Sequence, residues 1–142
     1  MITDALLVFS DAQAITAAAA STSSLDLGVA RDIGAGQQLF VAISVDVAFT
    51  DASSDSTLTV DLQYDSTTTF TPDATQTLCS IPALSAIGYK RLIPIAPQET
   101  SYRYAQLYYT PNNGNLTTGS VSASIVLGAD LNRYYASGYT IN

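Results

Sequence analysis

The chain has 142 residues, a length that fits one domain built on a single core. Its formal net charge is -7 and only 12% of its residues are charged, yet 47% are hydrophobic, so the low charge does not signal disorder. With no His and one Cys, it cannot build a Ser-His-Asp or Cys-His nucleophile, a His-ligated metal site, a structural zinc cage or an internal disulfide, and its acidity argues against nucleic acid or an anionic membrane as partner.

Met1, Ile2, Thr3 and Asp4 carry no basic region, so no secretory signal is expected. No apolar run approaches the roughly 20 residues of a membrane span. Residues 6–9 form a weak strand candidate, as do 24–27 and 77–81. Between the first two, the Ala-rich run 12–20 has good helix propensity but no amphipathic stripe. It reads as an extended arm, and residues 1–24 are set apart as an N-terminal arm. Residues 37–49 alternate strictly, with Leu39, Val41, Ile43, Val45, Val47 and Phe49 on one face. Residues 57–64 repeat the pattern with Leu58, Val60, Leu62 and Tyr64. The polar run 50–56 between them suggests an antiparallel hairpin. Residues 82–87 leave room for a short helix. Residues 89–95 alternate again, and Pro94 points to an edge or a strand end. Residues 102–109 are dense in tyrosine. Residues 111–115 contain an Asn-Gly pair suited to positive φ, ahead of a last strand over 121–127. About eight short strands with few helix signals predict an all-β sandwich, jelly roll or barrel. Residues 128–142 form a Tyr-rich C-terminal arm holding Leu131, Tyr134, Tyr135, Tyr139 and Ile141, side chains expected to pack on the body or on a partner.

Carboxylates are the only plentiful ionisable groups. Asp51 and Asp55 flank a Ser-rich loop with oxygens for Ca²⁺, but the loop lacks the EF-hand spacing and reads as solvated. Asp61 and Asp65 fall on the same strand or just past its end, and paired carboxylates are what glycoside hydrolysis needs, yet no second cue supports it. The Gly34-Ala35-Gly36 run precedes a strand instead of following one, so it reads as a turn and not a phosphate loop. Asn115-Leu116-Thr117 matches the glycosylation pattern by chance. Cys79 has no basic neighbour in sequence and reads as structural. No catalytic residue, metal or cofactor is therefore expected. The few cations should pair with aspartates. Alternation puts Tyr102, Tyr104 and Tyr108 on one face, with Tyr109 opposite. This face suits a protein interface, with Arg91, Arg103, Arg133, Tyr134, Tyr135 and Tyr139 as further anchors. The alternative is a carbohydrate-binding sandwich stacking sugars on the same tyrosines, weakened by the absence of Trp.

The opening residues 1–16, with Asp4-Ala5-Leu6-Leu7-Val8-Phe9-Ser10-Asp11 at their centre, resemble the start of the tailed-phage capsid cement proteins, a family known from a Bordetella podovirus. Ser24-Leu25-Asp26-Leu27-Gly28, Arg31-Asp32-Ile33-Gly34, Ile81-Pro82 and the run 89–94 are similar to the same family. The resemblance implies one jelly-roll domain over residues 1–142 and no enzymatic activity. It also implies a place on the outer surface of an icosahedral virion shell, where a homodimer or homotrimer would bridge neighbouring copies of the major capsid protein.

Overall fold

The computed structural model describes residues 4–127. A 3-10 turn, Ala5–Leu7, is capped by Asp4, whose carboxylate accepts the Leu6 amide at 2.9 Å. Nine strands follow: β1 (Val8–Ala14), β2 (Ala19–Ala20), β3 (Leu25–Arg31), β4 (Leu39–Thr50), β5 (Thr57–Asp65), β6 (Ala74–Ile81), β7 (Lys90–Pro94), β8 (Tyr102–Asn112) and β9 (Thr118–Leu127). All pairings are antiparallel, and they nest. β5 pairs β6, β4 pairs β7, β2 and β3 both pair β8, and β1 pairs β9. Rolling that nested ribbon over itself adds the β4–β9 and β5–β8 contacts. The result is two sheets, ordered β1-β9-β4-β7 and β2-β8-β5-β6, the arrangement of a jelly roll.

The buried faces follow the alternation. Val41, Ile43 and Val45 of β4, Leu58, Val60, Leu62 and Tyr64 of β5, and Val121, Ala123 and Ile125 of β9 enter one core. Val47 departs from it. Val45 pairs Val121 while Val47 pairs Ser120, so two β4 residues oppose one on β9. This bulge slips the period and turns Val47 outward, leaving it 48% exposed. Phe49 returns inward, seated over Gly119, where a Cβ would lie 2.6 Å from its ring.

Three expectations need correction. β4 and β5 are not a hairpin, because the 51–56 loop carries the chain from one sheet to the other. Alternation fixes which face is buried, and both faces here meet the same core from opposite sides. The Asn113-Gly114 turn does take positive φ (65° and 119°), and it too crosses between sheets. Residues 82–87 form turns instead of a helix. Residues 8–20 are no arm but part of the body: β1 and β2 are paired, and Phe9 and Ile15 are fully buried.

Glutamine clasps tie the sheets together at both open sides of the sandwich. At the β1 side, the Gln13 side-chain oxygen accepts the Ser10 hydroxyl at 2.7 Å and the Thr22 amide and hydroxyl at 2.8 Å. Its amide nitrogen donates to the Ala20 carbonyl at 2.8 Å. Beneath it, the Ser10 and Tyr109 hydroxyls share a buried 2.7 Å bond that links β1 to β8. At the β6–β7 side, the Gln76 amide nitrogen donates to the Pro94 carbonyl at 3.1 Å, and its oxygen accepts the Ala96 amide at 3.0 Å.

Candidate interaction surfaces

The tyrosine strand β8 lies in the five-stranded sheet between β5 and the β2–β3 edge. Tyr109 points inward and is fully buried, and burial pushes its hydroxyl pKa up. Tyr104 and Tyr108 are half-buried on the outer face, on either side of Gln106. Their cross-strand partners on β5 are Asp65 and Asp61, and Gln106 donates to Gln63 at 2.9 Å between them. Thr59, bonded to Asn112 at 2.8 Å, continues this ladder of hydroxyls and amides. Tyr102 does not share this face. Its ring stacks on Tyr64 at 5.9 Å between centroids and packs against the core.

Arg103 is already engaged. Its Nε and a terminal nitrogen grip the Asp26 carboxylate at 2.8 and 3.0 Å, a two-point fork. The Arg103 hydrogen bond, with help from the Gly28 amide, pulls the Asp26 pKa down to about 2. The guanidinium also sits 5.1 Å from the centre of the Tyr104 ring. The fold therefore fixes Arg103 as a strut between β3 and β8. Arg91 lies in the other sheet, on edge strand β7, with one long 3.4 Å bond to the Tyr89 hydroxyl. The structure thus brings Arg103, Tyr104 and Tyr108 together and leaves Arg91 apart from them. Arg133, Tyr134, Tyr135 and Tyr139 lie outside the described residues.

The carboxylates serve the loops. Asp65 is 2% exposed and accepts the Thr67 amide and hydroxyl at 2.8 and 3.0 Å and the Thr71 amide at 2.8 Å. These donors, the Thr67 amide foremost, hold its pKa below the usual range. Asp61 stays on the sheet face, so the two do not form a free acid–base pair. Asp51 accepts the Ser53 and Asp55 amides at 3.2 Å. Burial pushes its pKa up, but the Asp55 amide and its neighbours outweigh that and lower it. Amides aimed at this carboxylate favour a loop anchor over a Ca²⁺ ligand. Among the described residues, no three His, Cys, Asp or Glu side chains cluster as metal ligands. Cys79 is buried, and burial raises its thiol pKa against the pull of Arg91.

The outer face of the four-stranded sheet is a trough of about 550 Å³. Small side chains floor it (Ala42, Ser44, Ser122, Ser124), with Asp11 on one wall and Lys90 and Leu92 on the other. At one end of this sheet, Val47, Leu84 and Ile87 stand exposed together with the 82–88 loop. Reading the sequence alone missed this apolar group. Strict alternation hides Val47, and the option of a helix hides the loop. The signal available was a short apolar run, Ala83-Leu84-Ser85-Ala86-Ile87-Gly88, with neither helical nor strand period.

No curated protein matches the chain. A solved structure of infectious bursal disease virus, Gx strain, is similar at 14% identity with a TM-score of 0.48. The alignment covers 84% of this chain and 30% of the viral one, so the chain spans under a third of that neighbour's length. The family model Bbp16 matches residues 9–125, from the first buried phenylalanine of β1 to the last core isoleucine of β9, and the chain belongs to that family.

Proposed function

We propose that this protein is a structural component of a phage virion that acts as a capsid cement. It binds the outer surface of an icosahedral shell and bridges neighbouring major capsid subunits. The observation that carries the reading is membership of the Bbp16 family across residues 9–125, joined to the resemblance of residues 1–16 to tailed-phage cement proteins. The physical chemistry is consistent with it. The Asp65 carboxylate, one oxygen of Asp51 and the cation Arg103 hold loops and strands. What remains for function is surface. A cement acts through area, and a specific contact buries roughly 1,200–2,000 Å². As a homodimer or homotrimer, the protein would grip several subunits at once and gain avidity. By binding only the assembled lattice it would stabilise it. The charge of -7 suits the outside of a shell better than its DNA-facing inside.

The test is its copy number relative to the major capsid protein in gradient-purified virions, read by mass spectrometry. Near-stoichiometric amounts are expected. Absence, or a few copies per particle, overturns the reading. In that event the half-exposed pair Tyr104 and Tyr108, with Gln106 and Gln63 between them, would favour a carbohydrate-binding module, and a glycan array would be the next measurement.

A further inference from the structure

We propose that the 82–88 loop, with Val47 beside it, is a preformed apolar anchor, and that its partner is a protein pocket with an apolar floor and a carboxylate rim. The proposal rests on the cement reading and names the contact by which the shell is gripped.

Leu84, Ile87 and Val47 are 53%, 71% and 48% exposed. Two backbone irregularities put them there. Leu84 has φ of 56°, a left-handed conformation that is costly for a residue with a large side chain. The β4 bulge turns Val47 out of the core it would otherwise enter. Each departure gives up stability or burial, and each exposes an aliphatic side chain.

The loop is also held in place. The Ser85 hydroxyl donates to the Pro82 carbonyl at 2.7 Å. The Phe49 amide donates to the Ser85 carbonyl, and the Gly88 amide donates to the Val45 carbonyl, both at 3.0 Å. These two ladder bonds bracket Val47 against Ala86 and Ile87. Gly88 allows the exit into β7 with φ of 89°. A loop so fixed loses little entropy when it docks.

Charge identifies the partner's rim. Residues 74–98 contain no acid, in a chain with twelve, and they hold the adjacent cations Lys90 and Arg91. Both are exposed on β7, next along the chain from the loop. By contrast, Arg103 is neutralised by Asp26. Asp46, next to Val47, is held by the Ser122 hydroxyl at 2.6 Å, and an apolar tip followed along β7 by two exposed cations fits an apolar pocket bordered by Asp or Glu.

The experiment adds the full-length protein back to purified expanded shells that lack it and reads bound copies by co-sedimentation and mass spectrometry. The variants are Ile87→Asp, Leu84→Gly and Lys90→Glu, with Leu6→Asp as control. Leu6 is 82% exposed but precedes β1 at the other end of the sheet, since Val8 pairs Ser124 while Val47 pairs Ser120. Wild type and Leu6→Asp should bind alike. Ile87→Asp should weaken binding at least about ten-fold, as loss of a central apolar anchor does. Leu84→Gly should weaken it with no loss of thermal stability, because it relieves the left-handed strain, and so keeps the test valid if Ile87→Asp folds poorly. Lys90→Glu should slow association and reduce its salt dependence. Wild-type levels of binding by folded Ile87→Asp and Leu84→Gly overturn the anchor and leave the cement reading standing. Failure of wild type to bind shells overturns the cement reading itself. A lower oligomeric state of free Ile87→Asp would assign the loop to a second copy of this chain and overturn the proposed partner.

Discussion

Replacing Gln13 by Ala tests how the first strand is held. Four hydrogen bonds converge on that side chain. The two with Thr22 are exposed, so water replaces them at small cost. The two with Ser10 and Ala20 are partly buried. Each is worth about 1 kcal/mol net, which gives a loss of about 2 kcal/mol. The Ser10 and Tyr109 hydroxyls then share one bond between two buried hydrogens, so one donor loses its acceptor and the cost should be at least that figure. For a chain of this size, 2 kcal/mol lowers Tm by about 4–8 °C. Urea unfolding followed by tyrosine fluorescence is the assay, since there is no Trp to dominate the signal. The midpoint should fall with the slope unchanged. In a double-mutant cycle, Tyr109→Phe should couple to Gln13→Ala by at least about 0.5 kcal/mol, because both act on Ser10. A loss below about 0.5 kcal/mol for Gln13→Ala, with no coupling, would refute the clasp. It would mean that Phe9, Ile15 and the β1–β9 ladder hold the strand alone.

Other consequences follow from single positions. Gly34→Ala places a Cβ 2.0 Å from the Ala96 backbone oxygen, which no side-chain rotation relieves. It should cost about 3 kcal/mol or more, seen as a large drop in urea midpoint or in soluble yield. Stability should decline as the pH falls. Asp26, Asp51 and Asp65 all have folded pKa values below the ordinary 3.8, so the unfolded chain takes up protons first. The loss should begin above pH 3.8 and continue to about 2, where Asp26 titrates. Asp65→Asn should flatten this slope in a pH series of thermal melts, and a slope unchanged from wild type would exclude Asp65 as a contributor. Salt should remove the exposed Asp26 share but not the buried Asp65 share. Cys79 should react slowly with a thiol reagent in the native protein and rapidly in urea, since burial both covers it and raises its pKa. Rapid native reaction would show that the β6 edge opens.

The strands that were legible in the sequence are those with an unbroken period of two. β4, β5 and β9 declared their buried faces because every second side chain is aliphatic. Alternation also separated Tyr109 from Tyr104 and Tyr108. Partners were not legible. A strand's pattern records which face is dry and carries nothing about which strand lies beside it. The nested pairing brings β1 to β9 and β3 to β8 across most of the chain, while short loops join strands of different sheets. The N-terminal segment reads as an arm because its alanines show no stripe. Its attachment comes from Phe9, Ile15 and a polar side chain, Gln13, that no periodicity marks. Tyr102 was misplaced for a related reason. β3 and β8 lose register between Asp26 and Arg31, and Tyr102 there turns to stack on Tyr64.

The remaining failures fall together in space. Alternation puts Val47 in the core and composition allows Leu84 and Ile87 a short helix, yet all three are exposed at one end of the four-stranded sheet. The bulge and the left-handed leucine are where local preference and final structure disagree. A sequence under selection for stability alone would remove both, with one deletion in β4 and a glycine at position 84. Their presence near the chain's one adjacent pair of cations fits a role in contact, because local conflict is expected mainly at functional sites. The tyrosine face shows the contrasting pattern. From Tyr104 to Tyr108 it obeys the strand period, its amides pair across β5 and β8, and its one arginine is bound to Asp26. A regular polar sheet face leaves less apolar surface to drive association than unburied aliphatics on a fixed loop do. The sequence drew attention to the tyrosines because composition is visible there. The loop became visible only once the fold showed which apolar residues the core had declined.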